Sequence, residues 1–115
     1  LTAECFQAAC RAGVAEEVAA SLDASEPDEG WAERATYNME RMTTHGRRRA
    51  AEMREVVVTL AELGVASGMS AATADRQDAF GAPGIDLVRI QGLAARMGAI
   101  ETALAVDRTT DKGKN

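Results

Sequence analysis

Lysine is nearly missing from this sequence: among its 115 residues only Lys112 and Lys114 carry it, both in the last few positions and in no catalytic motif. Nor does any Gly-x-Gly-x-x-Gly occur, so the tight turn that lets a backbone approach a dinucleotide pyrophosphate is excluded. No apolar run approaches the roughly 20 residues that cross a bilayer, and the N-terminus lacks the basic-then-apolar order of a secretory leader. A membrane is therefore not an expected partner, and a soluble, cytoplasmic protein is. Positive charge is sparse as well. The formal net charge is −5 and the one basic cluster is Arg47-Arg48-Arg49, too little for the broad cationic footprint that a phosphate backbone demands, so nucleic acid is not expected either.

Cysteine is limited to Cys5 and Cys10 and histidine to His45. Five positions on a helix set the two thiols about 140° apart, too divergent to bridge, so both read as buried free thiols. A nucleophilic cysteine wants a nearby imidazole, and His45 is remote in sequence. No metal site and no catalytic residue is assigned to the chain.

What is present is helix-forming sequence of ordinary globular composition, 46% hydrophobic and 27% charged. Leu1–Ala12 predicts a first helix closed by Gly13, and Val14–Leu22 a second, followed by a loop from Asp23 to Gly30 that holds Ser25, Pro27 and Asp28. Trp31–Met42 predicts a third helix. Thr43 or Thr44 is placed to cap a fourth that runs to Leu63 and stops at Gly64. The triplet Val56-Val57-Val58 would favour a strand in isolation, but Ala50, Met53, Val57 and Leu60 carry a three- and four-residue rhythm straight through it. Ser67–Met69 opens a fifth helix that ends at Phe80 with Gly81 as its cap. From about Asp86, the spacing of Leu87, Ile90, Leu93, Met97, Ile100 and Leu104 predicts a sixth, amphipathic helix to Val106. The expectation is an all-α fold of about six helices: one domain over residues 1–106, then a polar, frayed tail over 107–115. Trp31 and Tyr37 read as core or interface anchors and the methionines as fillers of helix contacts.

The start of the fourth helix is where chemistry is expected. With Met53 as origin, 100° per residue places Val57, Leu60, Val56, Ala50 and Leu63 within about 80° of it. Arg49 follows at about −40° and His45 at about −80°, on or beside the buried face, whereas Arg47 and Arg48 point to solvent. A half-buried guanidinium needs an anion, and a helix N-terminus close by would favour the phosphate or carboxylate of a ligand. Two readings stay open: Arg49 and His45 contact a small anionic ligand, or Arg49 pairs with Glu52 or another protein acid and His45 is an ordinary helix-start residue. Arg48 and Glu52, at i and i+4, predict a surface ion pair.

The stretch from Asn38 to Val56, with Thr44-His45-Gly46-Arg47-Arg48-Arg49-Ala50-Ala51-Glu52-Met53 at its centre, then Leu63-Gly64-Val65 and Met69 to Asp78, resembles the C-terminal helical domain of 6-phosphogluconate-dehydrogenase-like proteins. That domain is itself largely of unknown function, and the likeness covers roughly Leu1 to Phe80. In the wider β-hydroxyacid dehydrogenase group, an N-terminal Rossmann domain holds NAD or NADP, a lysine catalyses, and the helical domain closes the substrate cleft and makes the dimer contact. The resemblance thus implies that the chain, inactive alone, partners its own Rossmann domain, which lies outside the sequence, and forms a homodimer. Leu1 opening directly in helical sequence reads as a piece excised from such a protein. The resemblance further implies substrate-binding roles for His45 and Arg49, with Arg48 and Glu52 in the vicinity of cofactor or substrate. Related dehydrogenases carry a Lys-Asp pair that aligns, from Leu63-Gly64-Val65, on Ala51-Glu52; the lysine is gone and the acid survives. The alternative is a non-catalytic helical interaction module whose last helix packs on a partner or a second copy.

Overall fold

Five α-helices and no strand make up the described residues, 1–27 and 30–113 of a computed structural model, with backbone alone described from residue 107 onward. The all-α expectation holds, with five helices where the sequence predicts six. α1 (Thr2–Ala12) ends as predicted, because Gly13 takes φ 72° and ψ 24° and returns its amide to the carbonyls of Ala9 and Cys10. That left-handed cap is easiest for glycine. α2 (Ala15–Ser25) runs past the predicted Leu22. Asp23, in its last turns, accepts a bond from the Trp31 amide at 3.0 Å and satisfies one of the free donors that open the next helix. Asp28 of the predicted loop lies outside the described residues, as do Lys114 and Asn115 of the tail.

α3 (Trp31–Glu62) corrects the sequence reading most. It is one continuous helix of 32 residues where two were expected. Thr43 caps nothing: it is buried, and its hydroxyl donates to the Glu40 carbonyl at 3.1 Å within the same helix. A threonine that bonds back to its own turn gives the chain no reason to stop. No free helix N-terminus therefore exists beside His45, and that part of the anion argument falls. The C-terminal end is as predicted, with Gly64 at φ 70° and the Val65 amide on the Leu60 carbonyl at 2.8 Å. Val56-Val57-Val58 is helical throughout.

α4 (Gly68–Gly81) folds back along α3 as an antiparallel hairpin, joined to it by the Arg54–Asp78 ion pair at 3.3 Å. Gly81 is helical and not the expected left-handed cap; the break comes later, at Gly84 with φ 66°. Its reason for being glycine is contact: a Cβ there would lie 2.7 Å from the Arg47 nitrogen and 2.9 Å from the Gly46 Cα. Two backbones meet with nothing between them.

The last helix starts later than its apolar spacing predicts. Leu87 is buried and Ile90 half-buried, yet both hang from a turn in which the Asp86 carboxylate accepts from the Val88 amide and the Ile90 amide bonds to the Leu87 carbonyl, each at 3.0 Å. Gly92 at φ 89° cannot belong to a right-handed helix, so α5 (Leu93–Gly113) begins after it. Its backbone continues as helix through 107–113, which the sequence assigned to the tail.

One core results. Phe6 of α1, Ala35 and Met39 of α3, Phe80 of α4, Leu87 of the turn, and Met97 and Ile100 of α5 cluster together. Arg11 and Gln7 of α1 hold Glu101 of α5 at 2.6 and 2.8 Å, and Arg76 of α4 reaches Glu4 of α1 at 3.0 Å. Past Ala50 no residue of α3 is fully buried, so its far half and the first turn of α4 stand out as an arm, while Ala74 and Phe80 of α4 are buried. The radius of gyration, 15.6 Å, exceeds the roughly 13 Å of a compact chain this long. Surface exposure corrects two expectations, since Met69 is 84% exposed and fills no helix contact and Cys5 is free but exposed rather than buried; Tyr37, 59% exposed, is not a core anchor, which leaves the interface alternative. Among the described residues no helix is long and apolar enough to cross a membrane.

Candidate functional site

The four residues singled out in the sequence lie along one side of α3. At 100° per residue, Arg48, Glu52, His45 and Arg49 fall within an arc of about 100°, and Arg41, one turn before His45, falls inside the same arc. His45, Arg49 and Arg41 are half-buried, while Arg48 and Glu52 are exposed. Arg48 Nε stands 3.7 Å from Glu52 Oε1, the predicted i, i+4 pair, with both side chains largely in water. Such a pair adds little to stability. Arg49 has no ion-pair or hydrogen-bond partner among the described residues, so the expected pairing with Glu52 or an acid of a neighbouring helix is not made.

Arg41 is the residue that sequence reasoning missed. Its guanidinium lies 6.0 Å from the Tyr37 ring, and its Nε is buried with no hydrogen-bond partner among the described residues. An unsatisfied buried donor costs about 1–3 kcal/mol. The i, i+4 relation to His45 would have found it, had Trp31–Met42 not been read as a separate helix.

The flank's charge is legible in its histidine. Partial desolvation, followed by the positive charges of Arg41, Arg48 and Arg49, holds the His45 imidazole below the ordinary value of 6.5. The unfolded chain therefore takes up the proton more readily than the folded one. This contribution to stability is full above the ordinary histidine range and is lost as pH falls through it. An NMR titration is expected to give His45 a midpoint below 6.5, and His45→Gln to flatten the stability slope in that window. A midpoint at or above 6.5 would mean that the arginines do not bear on it.

Elsewhere the chemistry is quieter. Burial pushes the half-buried Cys10 thiol up, away from thiolate. Among the described residues no three of His, Cys, Asp and Glu are grouped to hold a metal ion. Two cavities, of about 420 and 430 Å³, border α5, and neither is lined by His45, Arg48, Arg49 or Glu52. The cationic flank is an open surface.

Residues 9–80 match a family described as a domain of unknown function, DUF1932. The match takes in the last turn of α1, all of α2 and α3, and α4 to Phe80, and it leaves out α5. No curated protein and no solved structure matches the chain.

Proposed function

The chain belongs to the DUF1932 family, and from that premise we propose that it is the substrate-binding and dimerisation domain, C-terminal in its parent protein, of an NAD(P)-dependent hydroxyacid-type dehydrogenase. The observation that carries this reading is the flank of α3: Arg41, His45, Arg48 and Arg49 line one side of the helix together with Glu52, and the Arg41 Nε is buried and unpartnered among the described residues. A water-stripped cation seeks an anion, and a small anionic substrate held against a second domain would provide one. The neutral imidazole of His45 can donate or accept a hydrogen bond there. This chain's own residues do not fit the nicotinamide cofactor, since the described residues include no strand and the sequence no Gly-rich turn. The cofactor belongs, on this reading, to a Rossmann domain outside the chain, and NAD(P)H added to the chain alone should not bind.

Arg49→Ala tests the site. In the parent dehydrogenase it is expected to weaken substrate binding by about tenfold or more, ~1.4 kcal/mol, with cofactor affinity unchanged. If substrate affinity holds while the isolated domain loses stability, Arg49 is a structural residue and the reading fails.

A second reading, a non-catalytic interaction module, is favoured by the apolar end of the α3–α4 arm, where Leu63 is 70% exposed and Val65 and Met69 also face water. The dehydrogenase reading calls for self-association, and the module for a partner or a second copy. They part upstream: a dinucleotide-binding strand-turn-helix encoded before Leu1 decides for the dehydrogenase, and its absence for the module.

A further inference from the structure

Arg96, on α5, is the one charged residue among the described residues that is buried, its side chain 9% exposed. Its Nε donates to the Ile90 carbonyl at 2.7 Å, which fastens the turn before α5. Its Nη1 is shared between the Thr36 carbonyl and Glu40 Oε2, each at 3.4 Å, the far limit of a useful bond. Nη2, with two N–H groups, has no partner among the described residues and is the edge of the guanidinium left open to solvent. The protein thus holds one edge of the guanidinium and leaves the other for an acceptor from outside.

Arg96 also lines the cavity of about 430 Å³ between α3 and the start of α5. Thr36, Tyr37 and Leu93 line it too, with Glu33 and Glu40. Glu33 is exposed, sits in the first turn of α3 and has no partner among the described residues. On the helical wheel Glu33, Thr36 and Glu40 lie more than about 100° around from the middle of the His45–Arg49 flank, and Tyr37, against Arg41, stands between the two places. Its walls offer a free guanidinium edge and free carboxylate. An anion alone meets Glu33 and Glu40; a cation alone meets Arg96. A molecule that carries both charges can set its carboxylate on Arg96 and offset the acids with its ammonium.

We propose that this cavity binds a small dipolar ion, its carboxylate on Arg96 Nη2 and its ammonium on Glu33. The site stands apart from the dehydrogenase reading and holds whether or not that reading does. It joins α3, inside the matched family region, to α5, outside it. The occupant would therefore tie α5 to α3 across the cavity mouth.

The 115-residue chain is titrated by calorimetry and by NMR of the arginine side-chain nitrogens with glycine, β-alanine and γ-aminobutyrate, which hold the same two charges at increasing separation. Acetate and methylamine are the single-charge controls. One member of the series is expected to saturate and to shift the Arg96 resonances, with both controls weaker by at least about tenfold, ~1.4 kcal/mol. Arg96→Lys loses that binding but removes the Ile90 bond as well, so Glu33→Gln, an exposed change that leaves the clamp intact, is the decisive variant. It should weaken the preferred probe by about fivefold or more at unchanged Tm and leave acetate no weaker than before. No saturation by any dipolar probe, acetate equal to the best of them, or indifference to Glu33→Gln would each overturn the proposal.

Discussion

Gly46→Ala is expected to destabilise the chain by about 1–2 kcal/mol net, although the same change elsewhere in a helix stabilises. Two opposite terms compete. Alanine in a helix interior is better than glycine by about 0.5–1 kcal/mol, because glycine loses more backbone freedom on folding. Against this stands the crossing of α3 and α4: a Cβ on Gly46 would fall on the Gln77 carbonyl oxygen and within 3.0 Å of both Cα and N of Gly81. Those are backbone atoms, which no rotamer change can move aside. The helices must separate, and the contact between α3 and α4 that seats the arm loosens along its length. Overpacking of this kind outweighs the propensity gain. Gly98→Ala is the internal control. Gly98 lies in α5, is exposed, and has nothing within 4 Å of a prospective Cβ, so only the propensity term acts and the chain gains about 0.5–1 kcal/mol. Chemical denaturation of the two variants should give shifts of opposite sign. A stabilised Gly46→Ala would mean that the two backbones do not touch.

The same crossing marks where sequence and structure part company. Helical character, the end at Gly13 and the end at Gly64 are local properties: periodicity and a positive φ suffice, and both were legible. The continuity of α3 was not. Thr43-Thr44 carries the chemistry of a cap, and only tertiary context decides whether a threonine hydroxyl caps a new helix or bonds to its own turn. Gly81 was misread for a related reason, since a glycine that ends a helix and one that admits another backbone look alike in one dimension. The converse error occurred at Leu87 and Ile90, whose three-residue spacing fits a helix and equally fits a turn that drops both side chains into the core. Gly92 was the available warning. As for the flank, the spacing of His45, Arg48, Arg49 and Glu52 was readable from helix geometry, while Arg41 was lost with the supposed helix boundary. Arg96 could not have been found, because its burial depends on α3, the 85–92 turn and α5 meeting at one point.

Phe80→Ala probes the other side of that junction, by emptying it instead of crowding it. Phe80 is 1% exposed and is the α4 member of the central cluster, with Met39, Leu87, Met97 and Ile100. The first turn of α4 lies on the arm, with Ala74 buried between the two. Truncation removes the aromatic ring and leaves a void that the surrounding helices fill only in part, which costs about 3–5 kcal/mol, a large share of the 5–15 kcal/mol that holds a domain folded. Phe80→Leu, which keeps most of the volume, should cost much less. The denaturant slope separates two ways of failing. If the arm is one cooperative unit with the core, the midpoint falls and the slope is unchanged. Should the slope fall too, α4 has come loose before the core melts, and its anchorage through Phe80 is what couples them. A loss below about 1 kcal/mol would place the anchorage of α4 elsewhere, in the Gly46–Gly81 contact and the exposed Arg54–Asp78 pair. That outcome is not expected, since exposed ion pairs contribute at most about 1 kcal/mol and a backbone contact without side chains buries little apolar surface.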